Sequence, residues 1–140
     1  MKLKSAQADA KKLFRVGRSP TGLGLFATQN IARDTPIVEY VGERISTSEA
    51  RTRERAGKAR YMFELNERWS LDGSPRHNVA RYANHSCRPN AEANIVRGKV
   101  ILRALKTIRP GDQITYDYGR DYFNLFLKGA CRCEKCAAAR

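Results

Sequence analysis

The sequence has no long apolar run, and it holds few cysteines, histidines and tryptophans. Its 140 residues include four cysteines, two histidines and one tryptophan. No apolar run approaches the roughly 18 to 20 residues that a membrane-spanning helix needs. In a secretory signal peptide, a hydrophobic stretch follows the basic N-terminal residues. This sequence has no such stretch there. We therefore expect a soluble, intracellular protein that has no membrane partner.

Acidic residues are also scarce. Lys and Arg number 27 against 14 Asp and Glu, so the formal net charge is +13. The basic residues are spread along the whole chain, and no DNA-reading motif groups them. The charge is therefore compatible with solubility alone. It also leaves open a weak association with nucleic acid, whose phosphates bind Lys and Arg.

Short apolar runs separated by turn residues indicate a mostly β domain. The hydrophobic fraction of 41% is enough to line the core of a single domain of this length. The polar residues 1–11 are predicted to be a flexible arm. The predicted strands follow the runs LFRV, GLGLFAT, PIVEYVG, RYMFEL, NIV, KVILRAL and QITYDY.

Local signals predict two turns and one or two short helices. Gly98 is expected to close a hairpin with a positive φ, and Pro110-Gly111 marks a second turn. Ser46 and Glu49 resemble the two ends of a capping box, so a surface helix should begin there and end at Gly57. A second candidate helix covers residues 122–127, where aromatic and leucine side chains recur at helical spacing.

The four cysteines favour a structural zinc site. Cys131, Cys133 and Cys136 are too closely spaced for comfortable disulfide pairing, and no export signal supplies an oxidising compartment. Four thiolates complete a closed tetrahedral zinc site, and the count makes Cys87 the fourth ligand. The alternative is a reduced, metal-free tail with Cys87 buried as a small apolar residue.

Three segments hold most of the chemically versatile side chains. Residues 22–27 contain two glycines, which let a backbone approach a ligand closely, but they lack the third glycine of a dinucleotide fingerprint. Residues 81–90, RYANHSCRPN, bring five kinds of polar group into ten positions. Residues 111–119, GDQITYDYG, place two tyrosines on one side of a predicted strand. Taken singly, each has an ordinary explanation as a turn, a solvated loop or a packed strand.

Taken together, these segments resemble a known family. The two glycines, then EYVGE, NHSC-x-PN, TYDYG and a cysteine-rich end occur in the order found in SET-domain protein lysine methyltransferases with a post-SET segment. The resemblance covers residues 14–136. It implies short strands in several small sheets, with a C-terminal segment threaded as a pseudoknot. The implied division is an arm at 1–11, a SET domain at 12–120 and a post-SET segment at 121–140.

The resemblance also implies a reaction, the transfer of a methyl group from S-adenosylmethionine to a lysine amine. A lysine with its ordinary pKa near 10.4 is protonated at neutral pH and is not a nucleophile. Desolvation in a narrow channel beside a sulfonium lowers that pKa. Tyrosines suit such a channel, because their faces tolerate a cation and their hydroxyls hydrogen-bond an amine.

Four tyrosines carry the expected roles in transfer. By resemblance, Tyr118 stands at the transfer point, and Tyr40 lies on the other side of the amine. Tyr116 occupies a position where relatives have Tyr or Phe. Since Tyr leaves less space, monomethylation or dimethylation is expected over trimethylation. Tyr61 is a further candidate for the channel wall.

The cofactor residues are also carried over from the resemblance. Gly22, Leu23 and Gly24 match the loop whose backbone holds the amino-acid end of the cofactor. Asn84 and His85 match a pair that contacts the cofactor through main chain and side chain. The remaining candidates are Arg81 and Tyr82 beside that pair, Tyr118 at the transfer point, and Tyr122, Phe123 or Phe126 over the adenine.

The expected substrate is a lysine of a basic protein, either a histone or another DNA-binding or ribosomal protein. This places the enzyme in the cytoplasm, or in the nucleus or on chromatin in a eukaryotic cell. A chain of charge +13 repels a basic peptide unless acidic residues gather locally. The candidates for such a group are Glu39, Glu43, Glu64, Glu67, Glu92 and Asp121.

The sequence departs from the family pattern at two places, and it also leaves open a function other than catalysis. Relatives usually have an acid where Gln113 stands, so a charge partner inside the fold is expected to be either missing or replaced by an amide hydrogen bond. Two residues separate Cys133 from Cys136, where many relatives have four. The alternative is a non-catalytic module of the same fold that binds nucleic acid or a protein. The intact Tyr40 and Tyr118 argue against it.

Overall fold

Short strands dominate the computed structural model, which describes residues 13–57 and 61–119. The mostly β fold class is therefore confirmed. The predicted N-terminal arm and the candidate helix at 122–127 lie outside the described residues. The strands are β1 (Phe14–Ser19), β2 (Gly22–Ala27), β3 (Pro36–Tyr40), β4 (Glu43–Ser46), β5 (Met62–Glu64), β6 (Trp69–Asp72), β7 (Asn84–His85), β8 (Ala91–Val96), β9 (Lys99–Ala104) and β10 (Gln113–Tyr116). The α-helix α1 (Thr47–Arg55) and the 3₁₀ turn Val79–Tyr82 accompany them.

The strands of the described residues form three small sheets, which agrees with the several small sheets that the resemblance implies. Their orders are β1-β2-β10-β7, β3-β9-β8 and β4-β6-β5. In the first sheet, β10 pairs antiparallel with β2 and parallel with β7. The last described strand is thus inserted between two strands that lie far apart in the sequence.

The core lies where these sheets meet. Its fully buried side chains include Leu25 of β2, Leu102 of β9 and Ile114 of β10. In β10, buried Ile114 and Tyr116 alternate with half-buried Gln113 and Thr115. Because successive side chains of a strand point to opposite faces, Gln113 and Thr115 are directed away from the core.

The predicted surface helix is confirmed at both ends. Ser46 is its N-cap, and the Ser46 hydroxyl accepts a hydrogen bond from the backbone N–H of Glu49 at 3.0 Å. Gly57 follows the last turn with a φ of +71°, a conformation that glycine adopts readily. Ala50 is buried on the inner side of the helix. The rest of α1 is mostly exposed, as its lack of an apolar stripe predicts.

The two predicted turns are also confirmed. Arg97 and Gly98 both have positive φ and join β8 to β9 through the pair Val96 and Lys99, as a two-residue hairpin turn requires. Gly111, with a φ of +89°, occupies the second turn, which leads into β10. Within residues 13–57 and 61–119, no helix is long and apolar enough to cross a membrane.

Candidate active site

Strand β10 brings together the three segments that the sequence singled out. Its residue Gln113 pairs with Phe26 of β2. The first three residues of that strand, 22–24, are the predicted cofactor loop, and we call them the glycine-rich loop. The next residues of β10 pair with β7, where Thr115 lies opposite Asn84 and Tyr116 opposite His85. Candidate cofactor residues and Tyr116 therefore share one sheet, Tyr118 follows two residues after the end of β10, and Tyr40 belongs to β3 of another sheet.

Polar groups converge on the side chain of Asn84, and we call this set of residues (Ser19, Leu23, Asn84 and Gln113) the amide cluster. Asn84 Nδ2 donates to Gln113 Oε1 at 2.7 Å, to the Leu23 carbonyl oxygen at 3.0 Å and to Ser19 Oγ at 3.2 Å. Of the two expectations for Gln113, the amide hydrogen bond is therefore the one present. The cluster ties β1 and β2 to β7 and β10.

The two glycines of the loop serve different purposes. A Cβ on buried Gly24 would lie 2.7 Å from Gln113 Oε1 and 3.1 Å from Asn84 Nδ2, so only glycine leaves room for the amide cluster. At Gly22, φ is +121°, and a Cβ there would meet no atom of the described residues within 4 Å. The backbone at Gly22 is thus open to a ligand, while that at Gly24 is packed against the side chains that hold the loop.

His85 is held between Tyr118 and Cys87. Its Nδ1 accepts a hydrogen bond from the backbone N–H of Tyr118 at 3.0 Å, and its Nε2 lies 3.2 Å from Cys87 Sγ. Because a backbone N–H can only donate, Nδ1 carries no proton and Nε2–H donates to the sulfur. Burial lowers the pKa of His85, although the nearby Asp117 carboxylate opposes this shift. The ring is therefore neutral at physiological pH.

Tyr118 lies at the edge of a cavity. Its hydroxyl donates to the carbonyl oxygen of Ala83 at 2.6 Å, and its ring centroid lies 4.8 Å from that of Tyr116 and 5.3 Å from that of His85. The cavity has a volume of about 360 Å³. Its lining residues are Phe63, Pro89, Ala91, Glu92, Ala93, Leu105, Asp117 and Tyr118. A mostly apolar wall thus faces the tyrosine, with carboxylates of Glu92 and Asp117 as its charged groups.

Tyr40 is connected to this cavity through Phe63. The Tyr40 hydroxyl donates to the carbonyl oxygen of Tyr61 at 2.5 Å, and its ring lies 5.4 Å from that of Phe63. Gly73 packs against the Tyr40 ring so closely that a Cβ at residue 73 would collide with it. Sequence reasoning missed Phe63, although its position two residues after Tyr61 puts it on the same face of that segment.

Arg81 and Tyr82 lie on the Tyr61 side of the site. The Arg81 guanidinium stacks over the Tyr61 ring at 4.4 Å and over the Tyr82 ring at 5.1 Å. Its Nη1 donates to the carbonyl oxygen of Ser74. Through these contacts Arg81 holds the Tyr61 ring in place against Tyr82 and the backbone at Ser74.

The metal prediction depends largely on residues outside the described part of the chain. Within residues 13–57 and 61–119, no three His, Cys, Asp or Glu side chains group closely enough to hold a metal ion. Cys87 is half-buried and lies next to His85. Three predicted ligands and three candidate adenine contacts lie outside the described residues, namely Cys131, Cys133, Cys136, Tyr122, Phe123 and Phe126.

Comparison with known proteins matches most of the chain to one domain family. The family model described as the SET domain matches residues 22–119. The chain is 36% identical over 118 residues to "Histone-lysine N-methyltransferase set-2" of Caenorhabditis elegans, covering 77% of this chain and 8% of that protein. It is 39% identical over 120 residues to "Histone-lysine N-methyltransferase trr" of Drosophila melanogaster, covering 80% of this chain and 5% of that protein.

A solved structure resembles the described fold. It is a humanized mutant of the Chaetomium thermophilum Polycomb Repressive Complex 2 bound to an inhibitor, with a TM-score of 0.67 and 30% sequence identity. The match covers 77% of this chain and 15% of that one. The chain thus spans less than a tenth of the two curated relatives and a small part of the solved chain.

Proposed function

This chain belongs to the SET-domain family, and on that premise we propose that it is an S-adenosylmethionine-dependent protein-lysine N-methyltransferase. The names of its relatives support the reaction class, since they are histone-lysine N-methyltransferases. The observation that carries the proposal is the pairing of β10 with both β2 and β7. That pairing joins the strands that carry the open backbone at Gly22 and the Asn84 side chain, and it places Tyr118 directly after the end of β10.

The residues of the glycine-rich loop and of β7 fit the amino-acid end of the cofactor. The backbone at Gly22 is open, and a Cβ would find empty space there among the described residues. The hydrogen bonds described for Asn84 use Nδ2, so Oδ1 is available as an acceptor for an ammonium group. When bound, the cofactor supplies a methyl group on a sulfonium.

Tyr118 is proposed to orient the lysine amine. Its hydroxyl is held by Ala83, its backbone is held by His85, and its ring borders the cavity. The side chains of Phe63 and Leu105 and the two alanines of β8 give that cavity apolar walls, and apolar surroundings favour the neutral amine. The enzyme then acts mainly by positioning the two reactants.

The cavity also supports a basic protein as the substrate, a histone or another protein of similar charge. Of the acidic residues considered as candidates, Glu92 lines the cavity, and Asp117, which was not among them, joins it. These carboxylates provide local negative charge on a chain of net charge +13. A histone substrate would place the reaction on chromatin. A weak association with nucleic acid through the remaining basic residues stays a prediction.

The number of methyl groups is proposed to be limited by Tyr116. It is buried, and its ring lies 4.8 Å from that of Tyr118. A hydroxyl at this position takes up space beside the amine, so the first or second methyl group is favoured over the third.

One structural zinc ion is proposed to join the post-SET segment to the loop at Cys87. The described part of this site fits a thiolate, because Cys87 Sγ receives the Nε2–H of His85. Cys131, Cys133 and Cys136 would be the other ligands. Metal analysis of the dialysed protein should give about one zinc per chain, and Cys133→Ser should lower this value. Metal-free protein after purification would contradict the proposal.

The reaction is tested by transfer of labelled methyl groups from S-adenosylmethionine to histones and to bacterial DNA-binding and ribosomal proteins. The expected result is label on lysine with the wild-type chain and its loss with Tyr118→Phe. Absence of both label and cofactor binding would contradict the proposal and favour the non-catalytic module.

A further inference from the structure

The direction of the Asn84 amide is determined by the Leu23 carbonyl group of the glycine-rich loop and by the Ser19 hydroxyl at the end of β1. The carbonyl oxygen of Leu23 can only accept a hydrogen bond, so Asn84 must present its NH₂ group to it. The hydroxyl of Ser19 donates to the Gly22 carbonyl oxygen at 3.0 Å, so Ser19 Oγ acts as an acceptor toward Asn84 Nδ2. Asn84 Oδ1 is therefore the end of the amide that is left for a ligand.

The orientation of Gln113 follows from that of Asn84. Its contact with Asn84 Nδ2, at 2.7 Å, is the shortest in the amide cluster, and it must present Oε1 to a group that donates. Strand β10 places Gln113 opposite Phe26, and Gly24 leaves the space that its side chain occupies. Gln113 thus approaches Asn84 from the strand that also carries Tyr116, and it shares the Asn84 hydrogens with Leu23 and Ser19.

We propose that Gln113 is a positioning residue for cofactor binding, an inference that rests on the function proposed above. Gln113 holds the NH₂ of Asn84 against the loop, so that Oδ1 stays available to the ammonium group of the cofactor's amino-acid end. Rotating the Asn84 amide by 180° would set Oδ1 against the Leu23 carbonyl oxygen, which can only accept, and would break the hydrogen bond to Gln113 Oε1. The cluster therefore opposes the orientation that could not bind an ammonium group.

Glutamine performs this role without a charge. A half-buried carboxylate at residue 113 would also accept from Asn84, but it would be desolvated and would titrate in acid. Glutamine keeps its acceptor at every pH. The variant Gln113→Glu should therefore still accept the hydrogen bond from Asn84 at pH 8. Gln113→Leu has a side chain of similar size but no acceptor.

The test is calorimetric titration of the full chain with S-adenosylmethionine at pH 8. We expect Gln113→Leu to raise the Kd at least tenfold, and Gln113→Glu to stay within threefold of the wild type. Gln29→Leu, the same change at an exposed residue outside the cluster, should leave the Kd unchanged. The side-chain NH₂ resonances of Asn84 should move in the spectrum of unliganded Gln113→Leu and remain near their native positions in Gln113→Glu.

The outcomes separate this inference from the proposed function. A wild-type chain that does not bind the cofactor overturns both. A wild-type chain that binds, together with Gln113→Leu binding equally well, overturns the role of Gln113 alone. Equal loss of affinity in Gln113→Leu and Gln113→Glu also overturns it, because the acceptor would then not be what matters. If Gln113→Leu does not fold, Gln113→Ala is titrated in its place with the same expectation.

Discussion

The amide cluster and the unit formed by β4, β5, β6 and α1 both rely on polar side chains, yet they are built differently. In the amide cluster, Asn84 contacts residues 29 to 65 positions away, through hydrogen bonds that are part-buried at Ser19 and Gln113. In the second unit, Arg53 of α1 pairs with Glu49 four residues away and with Glu43 and Asp72 at 3.6 Å and 2.6 Å.

The difference lies in what each network holds in place. The ion pairs of Arg53 with Glu43 and Asp72 fasten α1 to the sheet beside it. The side chains of Glu43 and Glu49 are about half exposed or more, Arg53 is 34% exposed and Asp72 is mostly buried. Water screens such pairs, so each contributes little to stability. The amide cluster joins two distant parts of the chain at a point where the backbone is open. Changes in the cluster should therefore alter binding, and changes in the Arg53 network should alter stability.

The largest effect is expected from Tyr118→Phe. Loss of the hydroxyl removes a group that orients the amine, so methyl transfer should fall by about 100-fold or more. The Kd for S-adenosylmethionine should change less than twofold, because the ring and the backbone contact with His85 remain. Transfer is measured with labelled cofactor, and binding by calorimetry.

Tyr116→Phe is the matched control. It removes a hydroxyl from the neighbouring ring, 4.8 Å away, and should retain transfer while shifting the product toward higher methylation states, as mass spectrometry would show. Equal loss of transfer in the two variants would mean that the Tyr118 hydroxyl has no special role.

A smaller effect, confined to binding, is expected from Gly24→Ala. The new Cβ would lie 2.7 Å from Gln113 Oε1, and the flexible end of that side chain can move away only by leaving Asn84. We expect about a tenfold higher Kd for the cofactor with a small change in Tm.

Gly57→Ala should show the reverse pattern. Its φ of +71° disfavours alanine by about 1 kcal/mol, but open space surrounds the position among the described residues, and Gly57 belongs to the end of α1 and not to the amide cluster. The Tm should fall and the Kd should stay constant. A binding defect in Gly57→Ala would break the contrast between the two regions.

Asp72→Asn should reduce stability in a pH-dependent way. Burial raises the pKa of Asp72, but hydrogen bonds from Ser74 and the contact with Arg53 outweigh it, so the pKa lies below its ordinary value of 3.8. The carboxylate therefore stabilises the fold above about pH 3.8, and this contribution is lost as the pH falls through the folded-state pKa. The Tm at pH 7 should drop by about 2–5 °C, with cofactor affinity unchanged.

The Tm difference between wild type and Asp72→Asn should narrow below pH 3.8. A difference that is constant down to pH 2.5 would show that the ionised carboxylate is not the stabilising group.

The smallest effect is expected from Arg51→Ala. Arg51 lies 3.5 Å from Glu64, and both side chains are more than half exposed. Removing this pair should change the free energy of unfolding by less than about 0.5 kcal/mol, measured by urea denaturation. A larger decrease in the free energy of unfolding would contradict the view that the exposed ion pairs of this unit contribute little to stability.

Local signals were sufficient for much of the fold. The apolar runs predicted seven strands, and Ser46 and Gly98 marked a helix start and a hairpin turn where the structure has them. Strands β4, β6 and β7 carried no such signal, because ERIS and WSLD are short and mixed in polarity and Asn84–His85 is only two residues long.

The site was less predictable from periodicity, since it depends on long-range pairing. Nothing local places Gln113 beside Asn84, because that contact requires β10 to lie between β2 and β7. The family resemblance named the residues, but it did not indicate that Arg81 stacks on Tyr61 or that Phe63 links Tyr40 to the cavity.

The most direct test of the central claim is chemical-shift mapping of the ¹⁵N-labelled chain during titration with S-adenosylmethionine. If the open loop, β7 and β10 form one cofactor site, the backbone amides of Gly22, Gly24, Asn84, His85 and Tyr118 should shift together along one saturable curve. Those of α1 should stay in place. Saturable shifts centred on α1 and its sheet, with the loop amides unmoved, would contradict the account.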